Sequence, residues 1–86
     1  MEHEQLLQQL RLQRQHFQST LLEIEAALAE IKTTNESYQI VGNLLIKKEP
    51  AKVQQELLEK QKTIKLRLES IEKQEQQVKQ QGDQHG

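Results

Sequence analysis

Between Glu2 and Thr33 the apolar residues return at helical spacing on a polar background, with no Pro or Gly to interrupt them. Taking Leu7 as position a of a heptad places Leu7, Arg14, Leu21 and Leu28 at a. His3, Leu10, Phe17, Ile24 and Ile31 then fall at d, and the repeat holds over four heptads, the pattern of a coiled-coil seam. It predicts a helical arm over 2–34, spoiled by Thr33, Thr34 and Asn35, with Asn35 placed to take the left-handed conformation that ends a helix. Pro50 restarts the helical reading, because its fixed φ and missing N–H suit the first helical position. From there Leu57, Ile64, Ile71 and Val78 repeat every seven residues, with Gln54, Gln61, Leu68 and Glu75 at the companion positions. The second arm is predicted over 50–81, stopped by Gly82 and followed by a flexible tail over 82–86. Glu56 to Lys60, Glu69 to Lys73 and Glu75 to Lys79 form favourable i, i+4 pairs, the mark of a helix with a solvated face.

The pattern switches from a period near 3.5 to a period of two only between the arms. Ser37 to Val41 and Leu44 to Lys48 are rich in strand-forming residues and meet at Gly42-Asn43, a two-residue primed turn that accepts positive φ. Pairing across that turn sets Val41 opposite Leu44, Ile40 opposite Leu45, Gln39 opposite Ile46 and Tyr38 opposite Lys47. Val41, Leu44 and Ile46 then share one face, and Tyr38, Ile40 and Leu45 the other. Both faces are apolar. A lone two-stranded hairpin is marginal in water, so the missing cover is expected from other chains.

The expected fold is therefore mainly α with one β-hairpin: long helix, hairpin, long helix, the arms closing as an antiparallel coiled coil in a single domain over 1–86. Register counted outward from the turn brings Leu28 near Leu57, Ile24 and Leu21 near Ile64, Phe17 near Leu68 and Ile71, and Leu10 and Leu7 near Val78. At ~1.5 Å per residue each arm is roughly 48 Å long. The far end is unevenly matched. Leu6, Leu7, Leu10 and Leu12 of the first arm face Val78 among Glu75, Gln76, Gln77, Lys79, Gln80 and Gln81 of the second, and Leu6 and Leu12 lie outside the seam. Spare apolar side chains at the tip of an open rod suit transient apolar contacts, as they also suit a coiled-coil end with scattered surface leucines.

Composition sharpens this picture. At 86 residues, with 34% hydrophobic residues and only Phe17 and Tyr38 aromatic, the chain offers a thin core, so helix pairing and chain pairing must supply stability. The absence of Cys removes disulfides and thiolate metal sites, in keeping with a reducing compartment. Twelve basic and thirteen acidic residues are interspersed, which argues against nucleic acid as a partner. Lys47 and Lys48, the nearest thing to a basic patch, read as protection of a strand end. No apolar run approaches the ~20 residues of a membrane span and the N-terminus is too polar for a signal peptide, so a cytoplasmic protein with no membrane partner is expected.

Catalytic chemistry is not visible. Gly42, Gly82 and Gly86 are isolated and form no phosphate-binding loop, so ATP has no cradle. His3, His16 and His85 stand at unrelated spacings, and Ser19, Ser37 and Ser70 lack a nearby His and Asp constellation. The carboxylates line an extended rod rather than a cleft that shifts their pKa values. Neither an enzyme nor a cofactor is expected.

The run Tyr38-Gln-Ile-Val-Gly42-Asn-Leu-Leu-Ile-Lys47 between two long helices resembles the prefoldin β-class subunit. Gln55-Glu-Leu-Leu-Glu-Lys60, Leu66-Arg-Leu-Glu69 and Ile71-Glu-Lys-Gln-Glu75 resemble the returning helix of archaeal members, and Glu25-Ala-Ala-Leu-Ala-Glu-Ile31 the end of their first helix. The similarity spans roughly residues 21–80, with a first arm shorter than is usual in the family. What the resemblance implies is a heterohexamer of two α-class and four β-class subunits whose hairpins join into a double β-barrel body. Its coiled-coil tentacles hold unfolded client proteins for transfer to a group II chaperonin. Tyr38, Ile40, Val41, Gly42, Leu44, Leu45 and Ile46 would form the oligomerisation hairpin, and Leu6, Leu7, Leu10, Leu12 and Val78 the client-binding tip.

The function expected from this reading is an ATP-independent holdase, in which several weak tip contacts add up by multivalency. The alternative is a structural or scaffold coiled-coil protein that oligomerises through its hairpin and holds no client. A hetero-hexamer is expected, and assembly of the chain with itself as a homo-oligomer is also compatible with the residues.

Overall fold

The computed structural model describes residues 2–84. It contains α1 (Glu2–Ile31), β1 (Ser37–Val41), β2 (Leu44–Lys48) and α2 (Pro50–Gln84). The two helices pack side by side and the two strands form one antiparallel hairpin, giving a rod of 58 × 25 × 14 Å.

The seam lies where the heptads place it. Leu10, Ile24 and Leu28 of α1 and Ile71 and Val78 of α2 are buried, while Leu7, Phe17, Leu21, Ile31, Leu57, Ile64 and Leu68 are half-buried. Leu10, Ile71 and Val78 form one cluster, against which Leu7 and Phe17 pack. Of the a and d positions of α1, only His3 is fully exposed.

The helix ends depart from expectation in three respects. First, α1 stops at Ile31, not 34: the Thr33 and Thr34 backbone N–H groups donate to the carbonyls of Glu30 (3.1 Å) and Ile31 (3.4 Å). The hydroxyls of Thr33 (3.1 Å) and Thr34 (2.8 Å) also donate to the Glu30 carbonyl, joining the Thr33 N–H at an oxygen that has no i+4 helical partner. Second, Asn35 does not adopt the left-handed conformation, since no non-glycine residue has positive φ among the described residues. Third, α2 continues through Gly82 to Gln84. A single helical glycine costs only about 1 kcal/mol relative to alanine, too little to stop a long helix. Of the tail expected over 82–86, residues 85 and 86 lie outside the described residues. At its start α2 opens on Pro50 with the Glu49 carbonyl accepting from the N–H groups of Lys52 (3.0 Å) and Val53 (3.1 Å).

The hairpin register matches the sequence reading pair for pair, from Tyr38 opposite Lys47 to Val41 opposite Leu44, and the structure extends it by one pair, Ser37 opposite Lys48. Gly42 has φ +60° and Asn43 does not turn positive, so the loop has the type II′ pattern, with glycine at its first central position.

Candidate functional site

Two regions carry the candidate functional residues: the hairpin and the opposite ends of the helices. In the hairpin, Tyr38, Ile40, Val41, Leu44, Leu45 and Ile46 are all exposed, from 46% at Ile46 to 76% at Ile40. Neither helix covers them, and the two apolar faces stand free in the single chain. Gly42 is exposed at the turn between them.

Polar contacts fasten this projecting element at its base. Ser37, buried, donates its hydroxyl to the Lys48 carbonyl across the strand pair. The Lys48 ammonium donates to Gln39 Oε1 (3.1 Å) and to the Glu56 carboxylate, tying the end of β2 to the first turns of α2. Tyr38 donates its hydroxyl to Glu36 Oε2 (3.1 Å), and Lys47 lies 3.9 Å from the other Glu36 oxygen. Of the two lysines read as strand-end protection, Lys48 thus also holds the hairpin to α2, while Lys47 reaches only Glu36 in the segment that precedes β1.

At the far end the candidate tip residues divide by exposure. Leu6 (44%) and Leu12 (60%) are open to solvent, Leu7 is half-buried, and Leu10 (4%) and Val78 (7%) are shut inside the seam. Leu12 rims an open groove that also touches His16, Phe17, Arg67 and Ile71, with the Arg67 guanidinium 6.0 Å from the Phe17 ring centre. Three further exposed leucines, Leu22, Leu58 and Leu66, lie along the shaft. They fall outside the seam positions, which is the only signal that singles them out in the sequence.

The distal seam also contains a charge pair that local sequence rules misassign. Glu75, read above as the solvated partner of Lys79, is 3% exposed and accepts from Arg14 Nη1 at 3.1 Å across the helix pair. Its other oxygen, Oε1, is buried without a hydrogen-bond partner. Glu56 likewise turns to Lys48 rather than Lys60, and none of the three expected i, i+4 pairs closes within ion-pair distance among the described residues. No cluster of His, Asp or Glu among the described residues has the geometry to hold a metal ion. No helix among them is long and apolar enough to cross a membrane.

The fold and its two open ends match one family. The family model described as "Prefoldin subunit" aligns with residues 2–85. The chain belongs to the prefoldin subunit family. Among solved structures, it is similar to the prefoldin beta subunit from Thermococcus strain KS-1, at 34% identity and a TM-score of 0.87, over 93% of this chain and 73% of that one. A comparison with curated proteins gave no match. Two long helices joined by a two-stranded antiparallel hairpin are the prefoldin β fold, and the chain is of the β class. Prefoldin membership supports a chaperone rather than an enzymatic role, and assembly with other prefoldin subunits.

Proposed function

We propose that this prefoldin subunit works as an ATP-independent holdase in the cytoplasm, assembled through its hairpin and touching unfolded proteins with the ends of its helices. In the arrangement the family implies, two α-class and four β-class subunits join their hairpins into a double β-barrel body. The helical arms then extend from one side, and clients pass on to a group II chaperonin. The exposed apolar faces at Tyr38, Ile40, Val41, Leu44, Leu45 and Ile46 are suited to burial in such a body.

The observation that carries the client-holding part is the exposure of Leu6 and Leu12 on the part of α1 remote from the hairpin. Single apolar contacts of this kind are weak, and several arms acting on one unfolded chain gain affinity through effective concentration while each contact remains quickly reversible.

The test is a light-scattering assay with an unfolded substrate, comparing the native chain with the double variant Leu6→Ser and Leu12→Ser. Both positions are exposed, so the variant is expected to keep its native assembly mass while its suppression of aggregation falls at least fivefold. Undiminished suppression by a variant of native mass would overturn client holding by this end and leave a scaffold that oligomerises without holding clients.

A further inference from the structure

The hairpin joins the rod unevenly. Residues 32–36 connect α1 to β1, whereas Glu49 alone connects β2 to α2. Pro50 keeps Glu49 out of helical backbone, and the Glu49 carbonyl is engaged by the first N–H groups of α2, so the hairpin swings about this one short junction. Lys48 stands directly beside it. Its carbonyl accepts from the Ser37 hydroxyl, and its ammonium donates to Gln39 Oε1 (3.1 Å) and to the Glu56 carboxylate. Among the described residues, Lys48 to Glu56 is the one polar side-chain contact that crosses from the hairpin to a helix. The Lys48 side chain is 22% exposed, its stem laid against the protein, whereas that of Lys47 is 67% exposed.

The contact also gives the hairpin a side. Strand alternation puts Ser37, Gln39, Val41, Leu44, Ile46 and Lys48 on one face. Gln39 and Glu56 line the same open groove as Ile24 and Ile64, so this face leans over the helix pair. Val41 and Ile46 on it are less exposed than Ile40 and Leu45 on the other. We infer that Lys48 is the positioning residue of the hairpin: its ammonium, held by Glu56, sets the tilt at which the two apolar faces are offered to a neighbouring prefoldin subunit. Subunits joined head to tail close into a finite body only when the rotation at each contact brings the last back to the first, and otherwise they build open assemblies. A partly exposed ion pair adds little to folding stability, so its loss disturbs closure far more than folding. The closure half of the inference rests on the hairpin-mediated assembly proposed above; the tilt does not.

Lys48→Met removes the ammonium while keeping the stem and the carbonyl that Ser37 uses, and Glu56→Met removes the other partner. Lys47→Met makes the same charge change one residue away, and Lys48→Arg keeps the charge and the donors. The tilt is read as a distance between spin labels. The chain contains no Cys, so Asn43→Cys at the exposed turn and Lys62→Cys on the exposed side of α2 supply the only two attachment points. Labelled full chain diluted into an excess of unlabelled chain is measured by double electron–electron resonance. The distance distribution is expected to widen at least twofold in Lys48→Met and in Glu56→Met, and to keep its native width in Lys47→Met and Lys48→Arg. A native width in Lys48→Met, or equal widening in Lys47→Met, would overturn the inference.

Native mass spectrometry of the unlabelled variants reads closure. In Lys48→Met the native assembly mass is expected to lose at least fivefold in abundance to mixed and larger species, with helical circular dichroism unchanged, and Lys48→Arg is expected to restore it. A fully native mass in Lys48→Met despite a widened distance would overturn the link from tilt to closure. A chain that stays single in every form, native included, strikes the assembly reading above, while the distance measurement still decides the tilt.

Discussion

Ser37 and Lys48 face each other across the open end of the hairpin, the serine hydroxyl donating to the lysine carbonyl. The bond lies where both strands rejoin the helices, so it fixes how the hairpin leaves the rod. Removing it with Ser37→Ala is expected to cost about 1 kcal/mol, the net value of a buried hydrogen bond. Ser37→Thr keeps the hydroxyl on a residue that strands favour and is expected to lose less than half of that. Chemical denaturation of the two variants under identical assembly conditions checks the order.

Gly42 takes a left-handed φ at the tip of the hairpin, with no atom within 4 Å of the position a Cβ would occupy. The penalty for a side chain there is therefore one of backbone conformation alone. Gly42→Ala is expected to destabilise the hairpin by about 1–2 kcal/mol, and Gly42→Asn by clearly less, because asparagine tolerates that region better. Thermal melts of the two variants should fall in that order.

Ile40 and Leu45 pair across the strands on one face and are 76% and 66% exposed in the single chain. A charge on that face has little to disturb inside one subunit and much to disturb in a body made of joined hairpins. Ile40→Asp and Leu45→Asp are each expected to yield smaller species by native mass spectrometry, with helical circular dichroism kept to within about a tenth of the native signal in the spirit of a surface change. A native assembly mass in both would refute the role given to this face.

Leu28 and Leu22 sit on the same helix with opposite surroundings, 9% and 69% exposed. Truncating Leu28 opens a cavity in a seam that solvent already approaches, so Leu28→Ala is expected to cost about 2 kcal/mol, at the low end for buried leucines. Leu22→Ala is expected to stay within about 0.5 kcal/mol. Equal losses from the two in urea titrations would contradict the seam described for α1.

How much of this is legible in the sequence depends on whether a feature is set by neighbours along the chain or across it. The hairpin register follows from a two-residue turn and a period of two, both local, and the structure reproduces it pair by pair. The seam follows from the heptads, and Leu10, Ile24, Leu28, Ile71 and Val78 are buried accordingly. Arg14 occupies the seam position that the heptads assign to it, but the pairing of Glu75 is not legible, because the i, i+4 rule sees one helix at a time. Glu75 has a lysine four residues on, yet its partner is sixty-one residues away on the other helix. Gly82 does not end α2, because a single glycine is only a weak local penalty in a long helix. Asn35 suits a left-handed helix end on local grounds, yet the Thr33 N–H and two threonine hydroxyls satisfy the Glu30 carbonyl without any left-handed residue at this end.

For the candidate site, residue identity was readable and accessibility was not. The tip leucines look alike in the sequence, and only the packing of α1 on α2 separates Leu6 and Leu12, which are open, from Leu10, which is shut. A heptad count assigns no role to Leu22, Leu58 and Leu66, which lie off the seam and are exposed.

A hairpin that exposes six large apolar side chains leaves part of the free energy of folding to be collected only on meeting another subunit. The equilibrium between ordered and unfolded chains is then governed by mass action, and the melting temperature should climb with total protein concentration and with any excess of a companion subunit. Stability in this molecule belongs to the solution as much as to the chain, so dilution alone can act on it as a denaturant.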